Sequence, residues 1–184
     1  GQVPSHVIMF FSWVIALLGL PALHARQAQR SGRLGLVAFA LVILAAAYHL
    51  YLLLYEAFAA PALAERPETR DLIVTGGPLA HGVIGDVAGM LALAFPLFGI
   101  VTLRAGVFPR SVGWLQILSV PVFFLAEILL PASVHDALPG GATPIALMYY
   151  LLFLAYAWGG YALWAGQEQS RTAPVPMQSI PASA

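Results

Sequence analysis

The chain has 184 residues, 60% of them hydrophobic and only 9% charged, against roughly 25% charged in an ordinary soluble domain. Eight Arg balance eight acids and there is no Lys, so the basic excess that a nucleic-acid partner requires is absent. There is no Cys, which excludes a disulfide framework, a thiolate metal site and an iron–sulfur cluster.

A water-soluble globule of this size needs far more polar surface. The expected fold is therefore all-α, an integral membrane bundle of about five transmembrane helices. Five stretches approach the ~20 apolar residues that span a bilayer, and they are continuous rather than alternating, which argues against a β-barrel. They cover residues 7–23, 34–60, 83–103, 112–130 and 145–165.

The first stretch is followed by Arg26, Arg30 and Arg33 with no small-x-small site before them, unlike a cleavable signal. The second is long enough to tilt. Between the second and third lies ERPETRD, whose alternating charges suit one exposed helical turn, then the turn residues Gly76, Gly77 and Pro78. Pro96 and Pro121 fall within the third and fourth stretches and predict kinks. The chain is expected to form one transmembrane domain, 1–166, followed by a disordered cytoplasmic tail, 167–184, rich in Pro, Ser, Gln and Ala.

Positive charge fixes orientation. With the N-terminus outside, Arg26, Arg30, Arg33, Arg104, Arg110 and Arg171 are all inside, and only Arg66 and Arg70 are outside, mixed with acids. A faint internal echo links two hairpins: Arg33-Leu-Gly-Leu leading to Glu56 before Pro61, and Arg110-Ser-Val-Gly-Trp-Leu leading to Glu127 before Pro131.

Ionisable groups inside a bilayer are costly and mark candidate sites. Glu56, Asp86 and Glu127 each lie about one turn from an outer span end, at a common depth of roughly 5 Å. His6, His81, His135 and Asp136 lie toward the same side, and only His24 lies inside. His49 is near the middle of the second span, seven residues before Glu56, about 10 Å away along one helical stripe. With no Lys, and no Arg within a span, a buried carboxylate here must be protonated, share a proton, reach the outer interface or bind a cation.

The functional reading is an outward-facing proton, ligand or metal site built from Glu56, Asp86 and Glu127, with His49 and His81 as further ligands. Carboxylate and imidazole suit a divalent metal such as zinc, iron or manganese. The simpler account is that residues one turn from a span end touch water and headgroups. No second His lies at the depth of His49 for a bis-His haem, and no nucleotide-binding or hydrolase motif is present.

Gly85, Gly89 and Ala92 share one face of the third span and would let a neighbouring helix approach closely. In the fifth span Tyr149, Phe153, Tyr156 and Gly160 form a stripe. It is either core packing plus an interfacial belt or a flat surface for a quinone, carotenoid, lipid or partner helix.

The stretch RSGRLGLVAFAL, the following helix ending Glu-Ala-Phe-x-Ala-Pro, and the loop Leu103-Arg-Ala-Gly-Val-Phe-Pro-Arg-Ser-Val-Gly-Trp-Leu resemble multi-pass membrane proteins of high-GC bacteria. The likeness covers roughly residues 30–120. It implies a bacterial plasma membrane and transfers no activity or site residue.

Three functions fit these features. The first is a non-catalytic accessory or structural subunit of a larger membrane assembly, with a membrane-protein partner or a second copy of itself. The second is a transporter or binding protein that uses the outer carboxylate and His layer for a cation, proton or lipophilic ligand. The third is a metal-dependent intramembrane enzyme. Short loops, the small-residue face and the missing catalytic motifs rank the accessory role first and weigh against an enzyme.

Overall fold

The computed structural model describes residues 3–74, 90–129 and 144–172. Over these residues the chain is all-helical, with no strand. The elements are α1 (Val3–Leu54), a π-helical turn (Tyr55–Ala59), α2 (Ala60–Ala64), α3 (Arg70–Val74), α4 (Ala94–Ala105), α5 (Arg110–Leu129) and α6 (Pro144–Thr172). Three helical stretches, Pro4–Ala64, Arg110–Leu129 and Pro144–Gly166, are long and apolar enough to cross a membrane.

The first stretch is not straight. Gly32 has φ 56° and ψ −149°, a conformation that L side chains rarely adopt. There α1 reverses into a hairpin of two arms, 3–31 and 33–54. The pairing is read directly from contacts between the arms. His24 stacks on Phe39 at 4.3 Å, Trp13 on His49 at 5.7 Å, and His6 meets Glu56 at 3.1 Å.

The wide turn after α1 has a covalent cause. Pro61 has no N–H for the Ala57 carbonyl, and its ring crowds that carbonyl. The helix widens instead, and the Ala60 N–H donates to the Tyr55 carbonyl. The ERPETRD segment follows as a 3₁₀ turn (Pro67–Thr69) and α3. Thr69 Oγ1 donates to the Leu63 carbonyl at 2.6 Å and Arg70 Nε to the Ala64 carbonyl at 3.3 Å. These bonds satisfy carbonyls that the end of α2 leaves open.

Pro96 is accommodated differently, at the start of α4. A 3₁₀ turn (Leu91–Leu93) precedes it, so the proline falls in the first turn of a helix rather than in its middle. Pro121, by contrast, lies inside α5, and Pro21 inside α1. Gly106, with φ 61°, closes α4 by donating its N–H to the Thr102 carbonyl. The last helix runs through Thr172, past the expected start of the tail at 167, because nothing breaks it before Pro174. Residues 173–184 lie outside the described residues.

α5 packs between α4 and α6, and α1 packs on α4 and α6. Gly35 lies against Val101, and Gly159 against both Leu23 and Val112. The bend at Gly32 and the turn at Gly106 therefore share one end of the bundle, with Arg26, Arg30, Arg33, Arg104 and Arg110. His6, Glu56 and Glu127 occupy the other end. The core is apolar and aromatic, centred on Trp13, Phe95, Phe98, Leu20, Leu53 and Leu152. The outside is apolar as well: Ile8, Phe11, Ile15 and Leu18 form one exposed stripe on α1. Phe124, Leu125 and Ile128 do the same on α5.

Candidate functional site

His49 lies in the second arm of α1 and is only 4% exposed. Its position in the hairpin brings Trp13 onto its face, with ring planes 29° apart. Phe95 of α4 and Tyr149 of α6 present edges to it at 5.5 and 5.6 Å, and its neighbour Tyr48 does so at 5.8 Å. Nδ1 lies 2.7 Å from the Ala45 carbonyl in the same helix. With the proton on Nδ1, that nitrogen donates to the carbonyl. The imidazole is thus one wall of an aromatic cluster that Phe153 and Tyr156 complete around Trp13.

The aromatic members of the expected stripe in the fifth span are taken up here. Tyr149, Phe153 and Tyr156 belong to this cluster, and Tyr149 and Tyr156 are buried. Trp158, Tyr161 and Trp164 face outward in a row of tilted rings, 6.0 and 5.9 Å apart.

Glu56 sits in the π-helical turn, where its side chain is half exposed, and its partner is His6 Nε2. Phe10 and Phe58 pack edge to face beside them. The hairpin brings this pair together, since His6 opens the first arm and Glu56 ends the second. Glu127 is exposed on the last turns of α5. Asp86, His81, Gly85, Gly89, His135 and Asp136 lie outside the described residues. Ala92 lies in the 3₁₀ turn before α4 and is partly buried. Among the described residues no three His, Cys, Asp or Glu side chains form a group that would hold a metal.

Close helix approach occurs at a pair that the sequence reading does not single out. A Cβ on Gly99 would lie 2.7 Å from the Gly113 carbonyl, and one on Gly113 would lie 2.6 Å from Leu103. Glycine is required at both so that α4 and α5 can touch backbone to backbone. The signal was a glycine in each of two consecutive apolar stretches.

Buried neutral polar groups also escape a search confined to ionisable residues. Gln27 and Gln116 are fully buried and both amides lack a hydrogen-bond partner, as do Trp13 Nε1 and the Tyr156 hydroxyl. Ser119 and Thr102, also buried, donate to carbonyls of their own helices.

Among the described residues, a groove opens between the first arm of α1 and α6. Its volume is about 430 Å³, and Ser12, Ala16, Gly19, Leu23, Tyr156 and Gly160 are among its walls. It is almost wholly apolar, and Ser12 Oγ is already bonded to the Ile8 carbonyl at 2.9 Å.

Comparison with known proteins gives no match. No family model, curated protein or solved structure matches the chain.

Proposed function

We propose that this chain is a five-span protein of a bacterial plasma membrane, N-terminus outside, serving as a non-catalytic accessory subunit of a larger membrane assembly. The observation that carries the reading is the contrast between its inside and its outside. His49, the histidine expected near the middle of a span, is taken up in packing against Trp13 and in a bond to its own helix. The outer surface carries exposed apolar stripes on α1 and α5 that fit a partner helix.

A count of five is supported by splitting Pro4–Ala64 at Gly32 into two crossings. The first arm, and the second arm with its continuation through α2, each run to about 30 residues, or ~45 Å, against a hydrocarbon core of ~30 Å. The α4 segment with the apolar sequence before it, α5 and α6 supply the other three. The clustering of five Arg at the Gly32 and Gly106 end supports placing that end inside. The bacterial membrane rests on the resemblance of residues 30–120.

The His6–Glu56 pair favours a second reading, a binding or transport protein with a polar site at the outer end for a cation, proton or lipophilic ligand. A metal-dependent enzyme would need Asp86 or His81 to join that pair.

Substitution separates these readings. If the role is accessory, Glu56→Gln, Asp86→Asn and Glu127→Gln leave assembly and cell phenotype unchanged, while Gly85→Leu or Gly89→Leu disrupts the complex on a native gel. The opposite pattern favours binding or catalysis, which turnover then tells apart.

A further inference from the structure

We propose that the groove between α1 and α6, together with Arg26 and Arg30, holds one anionic phospholipid. One acyl chain lies in the groove and the phosphate meets the two guanidinium groups. This rests on the bilayer placement above but not on the accessory role.

The dimensions select the occupant. The α1 wall runs from Ser12 to Leu23 and the α6 wall from Phe153 to Leu163, about 15 Å at 1.5 Å per residue. That length is about half a hydrocarbon core of ~30 Å, the depth of one leaflet. A volume of 430 Å³ over that length gives a cross-section of roughly 30 Å². A helix with its side chains is ~10 Å wide, or about 80 Å². The slot admits an extended hydrocarbon chain and is too narrow to seat a helix.

Two glycines keep it open. A Cβ on Gly19 or Gly160 would meet nothing within 4 Å, and neither has a positive φ. Neither close packing within the chain nor backbone conformation calls for glycine there, although glycine is among the poorest helix formers. Both are exposed, and both line the groove. Their missing side chains leave room for a body from outside the chain.

Charge complements the headgroup. Ser12, Ala16, Gly19, Leu23, Arg26 and Arg30 follow one another at spacings of three and four, so they form a single helical stripe. The groove floor thus continues into two exposed Arg side chains. No acid occurs in the sequence before Glu56, and among the described residues no ion pair engages either Arg. A basic rim at the mouth of an apolar slot between helices recognises an anionic lipid headgroup.

The test is native mass spectrometry of the full chain from nanodiscs holding equal phosphatidylglycerol and phosphatidylcholine. One retained lipid is expected, with phosphatidylglycerol favoured about tenfold. Gly19→Leu with Gly160→Leu, which fills open space, should abolish retention of both lipids at an unchanged melting temperature. Arg26→Gln with Arg30→Gln, on the exposed stripe, should keep a lipid and lose the preference. Equal retention of the two lipids by the wild type overturns the proposal, as does a wild-type preference that survives either double substitution. A chain that stays in aqueous solution and never enters nanodiscs contradicts the bilayer placement itself.

Discussion

Trp13 and His49 lie face to face across the α1 hairpin, 5.7 Å between ring centroids, and both are buried. The contact joins the two arms at mid-height, and Phe95 and Tyr149 bring α4 and α6 onto the same point. Trp13 is therefore the residue on which the packing of three elements depends. Trp13→Ala should cost about 3–5 kcal/mol, the range for emptying a large aromatic site in a core. His49→Phe keeps the ring and should cost less than about 1.5 kcal/mol. Unfolding in mixed detergent micelles checks both. Loss of function in a stably folded His49→Phe variant would mean that the imidazole does more than pack.

The contact between α4 and α5 at Gly99 and Gly113 leaves no room for a methyl group. Gly99→Ala or Gly113→Ala should destabilise by about 1–3 kcal/mol through overpacking. Gly166→Ala, where a Cβ meets nothing within 4 Å, should be neutral or slightly stabilising. Thermal melting of the three variants side by side gives the comparison.

Gly32 should tolerate substitution poorly for a different reason. Its positive φ strains any L side chain, so Gly32→Ala should cost about 1–3 kcal/mol without filling any space. Because the chain has no Cys, a cysteine pair at positions 24 and 39 can be joined by a short bifunctional reagent against a clean background. Efficient cross-linking within one chain is expected from the stacked pair at 4.3 Å. Cross-linking only between chains would mean that the arms do not fold back on each other.

The His6–Glu56 pair is expected to contribute little to stability. Both side chains touch solvent, and exposed ion pairs are worth about 0–1 kcal/mol. A double-mutant cycle with His6→Gln and Glu56→Gln should give a coupling energy within that range. A much larger coupling would place the pair in a low-dielectric site and favour the binding reading.

The long apolar helices were legible from sequence, because run length and composition mark a stretch able to cross a membrane. Apolar run length located α5 within two residues of its observed ends, and the Arg33 and Pro61 punctuation located the second arm. A reversal between residues 23 and 34 was legible from the Arg-rich break between two apolar runs, but its form was not: the helices continue to the break and the chain turns at Gly32 alone. The apolar part of α6 ends at Gly166, as run length suggests, while the helix continues through Thr172 because the first breaker is Pro174. The site was much less legible. Depth along a helix follows from counting residues, but rotation is set by packing. His49 and Glu56 are seven residues apart, yet one is sealed among aromatic rings and the other half exposed at a widened turn. Partners across the bundle, such as His6 for Glu56 and Gly113 for Gly99, depend on a topology that no local pattern encodes.

The accessory role is tested most directly by native mass spectrometry of the protein released gently from its own membrane. The expected spectrum shows this chain bound to a partner membrane chain at fixed stoichiometry, a complex that survives Glu56→Gln. A bare 19.6 kDa monomer carrying only lipid would contradict the role. So would a metal increment that disappears with Glu56→Gln, which would make the outer layer the working part of the molecule.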